Sequence, residues 1–191
     1  MDTTGQPHDT TRTPGDGTAM INGKILLDSA TIQQRVAELG QEIRRDYQGR
    51  QPVLLGILNG AFIFMADLAR AIDLELEIDF IRVASYGNST SSSGQIRLTK
   101  EVELDIAGKD VLLVEDIVDT GTTIAWLQDY FTAHQAASVR ICCLIDKQER
   151  REIDVAIDYR GFTVAEGFLV GYGLDYAEKY RNLPAVYVIE P

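Results

Sequence analysis

Apolar positions along this chain follow two patterns. In one segment Ile32, Val36, Leu39 and Ile43 recur at steps of four, three and four residues, behind Asp28–Ser29 and ahead of Gly49. That spacing gathers the four side chains on one face of a helix, with Asp28–Ser29 as its cap and Gly49 closing it. The second pattern is nearly unbroken. Val53–Leu58, Val111–Val114 and Val139–Ile145 are apolar at almost every position, which predicts strands covered on both faces. Asn59-Gly60 after the first run reads as a tight turn, and an apolar helix is expected from Gly60 to Ile72. The second run leads through a loop, Glu115 to Thr122, into a helix from about Thr123 to His134. Leu76–Ala84 and Ile96–Ile106 alternate and predict the arms of a hairpin. Shorter strand-like pieces are Val155–Ile157, Phe162–Val164, Phe168–Val170 and Val186–Ile189.

Buried strands alternating with helices imply βαβ units and an α/β fold with a parallel sheet. Ligands bind such sheets beyond the carboxyl ends of the strands. The loops after Leu58, Val114 and Ile145 are therefore the places to look for chemistry. Met1 to Ala19 carry no apolar period and are rich in Thr, Gly, Asp and Pro. They are expected to form a disordered tail, with residues 20–191 as one domain.

A length of 191 residues suits one domain whose core needs no disulfide or metal. Its 29 acidic residues against 18 basic ones leave a net charge of −11, without the basic footprint of a general nucleic-acid binder. No apolar run reaches the roughly 20 residues of a membrane helix, and the polar N-terminus is unlike a signal peptide. Cys142 and Cys143 are neighbours in a predicted strand and should face opposite ways, so they should not bridge. A reduced, cytoplasmic chain without membrane or nucleic-acid partners is the expectation. His8 and His134 have no partner at metal-ligand spacing and receive no role.

The densest chemistry follows the second buried run. Val111-Leu112-Leu113-Val114 lead directly into Glu115-Asp116, a third carboxylate stands at Asp119, and Thr120-Gly121-Thr122-Thr123 open a helix. Free N–H groups at a helix start, with small hydroxyl side chains, form a phosphate cradle. Paired carboxylates beside it can accept hydrogen bonds from sugar hydroxyls or help hold Mg²⁺. Ordinary helix capping by Asp119 or Thr120 is the competing reading. No Lys follows the glycine, so this is not a Walker loop.

The run from Val111 to Thr123 resembles the phosphoribosyl-diphosphate signature of type I phosphoribosyltransferases. Four further segments narrow the resemblance to bacterial-type hypoxanthine (hypoxanthine–guanine) phosphoribosyltransferases. They are Leu58-Asn59-Gly60-Ala61-Phe62, Ser85-Tyr86-Gly87, Leu144-Ile145-Asp146-Lys147, and Phe168 to Tyr176 with Tyr180-Arg181-Asn182-Leu183-Pro184. The match runs from about Ile25 to Ile189.

The resemblance implies a parallel core with a small hood, built from the N-terminal strand and C-terminal segments. It implies that hypoxanthine, and guanine, react with 5-phosphoribosyl-1-diphosphate to give IMP, or GMP, and diphosphate. Glu115 and Asp116 would take the ribose hydroxyls, and Asp119 would serve as general base or acid at a purine ring nitrogen. Thr120, Gly121, Thr122 and Thr123 would hold the 5′-phosphate. Lys147 would donate to the purine 6-oxo group, Phe168 would stack on the ring, and Leu169 would offer its backbone to the ring edge. Asn59, Gly60 and Arg181 would meet diphosphate. The family often has Lys where this chain has Asn59, so only a backbone role carries over there, across a peptide that the family makes cis. Asp175, with Glu115 and Asp116, would support Mg²⁺, and Ser85 and Tyr86 would begin a mobile loop reaching Gly94. Homodimers or homotetramers are the implied assembly.

Two rival readings differ in what they predict. A relative preferring guanine or xanthine would differ only in its base. A non-catalytic RNA-binding regulator of the same fold should show a basic surface, which a net charge of −11 opposes.

Overall fold

The computed structural model describes residues 23–86 and 95–190. The expected tail, 1–19, and most of the expected mobile loop, 87–94, lie outside these. Helix α1 (Ser29–Asp46) begins where its apolar spacing places it: Asp28 Oδ1 accepts the Thr31 N–H at 2.7 Å, satisfying a first-turn donor. Ile32, Val36, Leu39 and Ile43 are buried on one face, and Arg44 and Arg45 lie at the negative end of the helix dipole.

The main sheet has the order β4-β3-β2-β5-β6-β7. Its strands are β2 (Val53–Leu58), β3 (Glu77–Tyr86), β4 (Gln95–Lys100), β5 (Asp110–Val118), β6 (Ser138–Lys147) and β7 (Tyr159–Val164). All neighbours run parallel except the edge hairpin β3–β4. Helix α2 (Phe62–Ile72) connects β2 to β3, and α3 (Thr122–Ala133) connects β5 to β6. From β2 the chain moves to one side of the sheet, then returns to β5 on the other. The carboxyl ends of β2 and β5 thus flank a topological switch point, where α/β sheets leave a crevice.

Alternate side chains of the central strands enter different cores. Leu54, Leu112, Val114, Cys142 and Leu144 pack under α1 and α2, while Val53, Leu55, Leu113, Ile141 and Cys143 pack under α3. The two cysteines are free and lie in opposite layers, as strand alternation requires. A separate antiparallel sheet, ordered β1-β9-β8, joins β1 (Gly23–Leu27), β8 (Phe168–Val170) and β9 (Val186–Ile189). Val170, Leu183, Ala185, Tyr187 and Ile189 form its own small core.

The structure corrects several expected boundaries. β5 does not stop at Val114. Its ladder continues until Ile117 and Val118 pair with Ile145 and Asp146, so Glu115 and Asp116 are strand residues rather than loop residues. A paired neighbour overrides the loss of apolar pattern, because backbone donors take a partner whatever the side chains are. Ile96–Ile106 is a strand only as far as Lys100. Beyond it, the Asp79 carboxylate accepts the N–H groups of Glu103 and Leu104 at 2.6 and 3.3 Å, drawing the chain off the ladder. Val155–Ile157 is not a strand; Val155 buries its side chain in the α3-side core from irregular chain. α2 starts at Phe62 rather than Gly60, and β7 starts at Tyr159 rather than Phe162.

Candidate active site

At the end of β5, Glu115 and Asp116 are buried, at 9% and 8% exposure. Burial, and for Glu115 the Asp116 charge beside it, push both carboxyls above the usual carboxylate range. For Asp116 this is partly offset by the Ile117 N–H, which donates to its Oδ1 at 2.9 Å, and by the field of Arg181. Two acids kept this dry have a standing affinity for hydroxyl donors or a cation.

The turn that follows is built around Gly121, whose φ of 84° lies in the left-handed region. Gly121, at the N-cap, has no side chain to cap α3, and the first-turn N–H groups beyond Thr122 can meet an anion. Thr120 Oγ1 lies 3.1 Å from Thr122 Oγ1 and accepts the Thr122 N–H at 3.4 Å. A cavity of about 120 Å³ opens over this turn, lined by Glu115, Ile117 to Gly121, Thr123 and Ile124. Asp119 Oδ2 takes Arg150 Nη2 at 3.2 Å, while its Oδ1 is buried without a hydrogen-bond partner. A buried carboxylate oxygen without a partner is one that a hydrogen-bond donor can satisfy.

A second cavity, about 240 Å³, brings together groups far apart in the chain: Asp116, Ile117, Asp119, Lys147, Arg150, Phe168, Leu169 and Asp175 among them. Lys147 is the last residue of β6, and its Nζ lies 3.1 Å from the Glu149 carboxylate. Phe168 begins β8 with 39% of its surface exposed and meets Tyr176 edge to face. Leu169 is buried. Asp175 Oδ1 receives Arg181 Nη2 at 2.8 Å and its Oδ2 the Glu178 N–H at 2.9 Å, while Arg181 Nη1 donates to the Gly173 carbonyl at 2.9 Å.

The β2–α2 turn closes the other side. The Leu58–Asn59 peptide is cis. Gly60 lies against the Asp116 carboxylate, whose Cγ would be 2.5 Å from any Cβ there. Gly173 lies against the Gly60 backbone in the same manner. β5, the β2–α2 turn and the Asp175 loop therefore touch through two glycines, which no side chain could replace without separating them. Ser85 and Tyr86 end β3 opposite Ile96 and Gln95 at the sheet edge.

Ile117 and Arg150 also line the second cavity, a placement that was not legible in the sequence. Ile117 is one apolar residue in an apolar strand, and Arg150 lies in the charged stretch 147–154, which reads as solvated surface.

The switch-point crevice thus brings together paired buried acids, a Thr/Gly turn at a helix start, and a second cavity lined from β5, β6 and β8. The phosphoribosyl transferase domain family matches residues 22–177, and the chain belongs to that family of enzymes. Among its relatives, the hypoxanthine-guanine phosphoribosyltransferase of Bacillus subtilis (strain 168) is 46% identical over 168 residues, covering 88% of this chain and 93% of the relative. That of Aquifex aeolicus (strain VF5) is 47% identical over 168 residues, covering 87% and 94%. The solved structure of a Bacillus anthracis hypoxanthine-guanine phosphoribosyltransferase superposes with a TM-score of 0.84 at 42% identity, covering 87% of this chain and 98% of the other. Among the described residues no helix is long and apolar enough to cross a membrane.

Proposed function

We propose that this protein is a purine-salvage enzyme that transfers the phosphoribosyl group of 5-phosphoribosyl-1-diphosphate to hypoxanthine and guanine, giving IMP or GMP. The observation that carries this is the 240 Å³ cavity in which Asp116, Asp119, Lys147 and Phe168 meet. The cavity places a cation, a proton acceptor and an aromatic face around one space beside the Thr120–Thr123 turn.

In this reading the 5′-phosphate sits on the turn Thr120 to Thr123, and Glu115 and Asp116 accept hydrogen bonds from the ribose hydroxyls. The base lies against Phe168 and Ile117, with Leu169 at its edge. Lys147 exchanges Glu149 for the 6-oxo oxygen. A 6-amino group is a donor and cannot accept from an ammonium, so this contact selects oxopurines. The purine N9–C1′ bond forms as the C1′–O bond to diphosphate breaks, and diphosphate leaves with the electron pair. The open Oδ1 of Asp119 takes the proton that the ring nitrogen gives up. Asn59 and Gly60, through their backbone, and Arg181, through its guanidinium, face the leaving diphosphate. Ser85 and Tyr86 begin the segment assigned to cover the site.

The donor set fits Mg²⁺. Among the described residues no three His, Cys, Asp or Glu side chains form a closed cage, and Mg²⁺ typically takes one or two carboxylates, with waters and substrate oxygens completing its shell. Asp175, Glu115 and Asp116 supply oxygen alone. When bound, Mg²⁺ would neutralise diphosphate charge that this acidic site otherwise repels. We further assign residues 20–191 to one domain with the β1-β9-β8 sheet as hood, a homodimeric or homotetrameric assembly, and a cytoplasmic setting.

Diphosphate release measured with hypoxanthine, guanine, xanthine and adenine, with and without Mg²⁺, tests the proposal. Turnover with the 6-oxopurines, dependent on Mg²⁺, is expected. Equal kcat/KM with adenine would overturn the base assignment.

A further inference from the structure

Beyond β6 the chain folds back beneath the phosphate turn, and Arg151 is the side chain that joins them. Its Nε donates to the Asp119 carbonyl at 2.9 Å, and its Nη2 donates to the Val118 carbonyl at 3.0 Å and the Lys147 carbonyl at 3.2 Å. The same nitrogen meets Asp146 Oδ1. Asp146 is 1% exposed, and its other oxygen receives Arg160 Nε at 2.9 Å, so the acceptor is itself held from the far side. The backbone reinforces the junction: the Glu152 and Ile153 N–H groups donate to the Thr120 carbonyl at 3.0 and 2.9 Å.

These acceptors are not scattered. Two lie on the segment that ends in Asp119, the group assigned to proton transfer. Two lie on the end of β6, which carries Lys147, the group assigned to the 6-oxo oxygen. A guanidinium is a rigid planar fork, so acceptors sharing it are fixed relative to one another, whereas a lysine offers one mobile nitrogen. We propose that Arg151 is a positioning residue for phosphoribosyl transfer: it sets the separation of Asp119 and Lys147, so that a purine engaged by Lys147 presents its ring nitrogen to Asp119. Arg151 acts through three backbone carbonyls and the Asp146 carboxylate, and needs no contact with substrate. The proposal rests on the roles given above to Asp119 and Lys147.

The test measures kcat and KM for hypoxanthine and 5-phosphoribosyl-1-diphosphate in the full chain carrying Arg151→Gln, Arg151→Lys, Asp119→Asn, and Asp119→Asn with Arg151→Gln. A displacement of about 1 Å in a reacting group costs on the order of a hundredfold. Arg151→Gln should therefore lower kcat by roughly tenfold to a hundredfold, with smaller changes in KM. Arg151→Lys should recover part of that loss. In the Asp119→Asn background the added Arg151→Gln should change kcat by less than about twofold, since the orientation of a group that no longer takes the proton has lost its value. Equal losses from Arg151→Gln in both backgrounds would overturn the proposal. So would a lowered melting temperature with native kcat. If Arg151→Gln does not fold, Arg151→Lys is carried through the same cycle and decides the question. Near-native turnover by Asp119→Asn alone is a different failure: it overturns the acid–base reading itself.

Discussion

Replacing Gly121 by alanine would set the phosphate turn against its own backbone. The residue's φ of 84° costs an L-amino acid about 1–2 kcal/mol. A Cβ there would also overlap the Ile153 carbonyl oxygen, lying 3.2 Å from the carbonyl carbon and 3.3 Å from Arg151 Cδ. That carbonyl belongs to a residue anchored to Thr120, since the Ile153 N–H donates to the Thr120 carbonyl at 2.9 Å, so moving the residue away from the turn costs this bond. Crowding of this kind costs about 1–3 kcal/mol. Alanine returns about 0.4–1 kcal/mol by restricting the unfolded chain. A net loss of about 1–4.5 kcal/mol follows. For a chain of this length that lowers Tm by about 2–18 °C, at about 2–4 °C per kcal/mol. Calorimetric unfolding of the ligand-free protein reads the first effect. Titration with IMP well below the transition reads the second, which should be a loss of affinity of about tenfold or more as the Thr120–Thr123 turn shifts. A Tm within about 2 °C of native together with unchanged IMP affinity would refute the claim that this glycine is required by close approach.

Lys147→Ala should lower kcat/KM for hypoxanthine by roughly 10- to 150-fold, the worth of a charged hydrogen bond of about 1.5–3 kcal/mol, mainly through KM; steady-state kinetics with an unchanged KM would remove Lys147 from base recognition. Glu115→Gln should raise Tm in the substrate-free protein at pH 8 in the presence of a chelator. The sign follows from the raised Glu115 carboxyl: the folded chain resists its ionisation, so the penalty is absent below the ordinary value near 4.5, grows as pH rises above it, and is full above the raised value. Thermal melts of both proteins should converge near pH 4 and separate toward pH 8, and a variant less stable at pH 8 would reverse the argument.

Much of this site was readable because its signals are local. The switch from an apolar run to Glu115-Asp116, then Asp119 and a Thr/Gly turn, is a strand, a pair of acids and a helix start in consecutive residues. α1 was readable for the same reason, since its period and its Asp28 cap lie within one segment. The end of β5 was not, because it depends on β6 supplying partners as far as Asp146. Nor was the early end of β4, which is decided by Asp79 capturing backbone N–H groups 24 and 25 residues away.

By itself, then, the sequence determined the layers, the alternation of Cys142 and Cys143 between two cores, and the short motifs proposed to hold phosphate and sugar. Only the tertiary structure decided that Asp116, Gly60 and Gly173 pile against one another, that Asp119 keeps one oxygen open, and that Arg151 joins Asp119 to Lys147. The physical reason is one of range. Periodicity records which face of a segment avoids water, a property of neighbours in the chain. The partner of a polar group is whatever the folded backbone brings within about 3 Å, and no spacing along the chain encodes that.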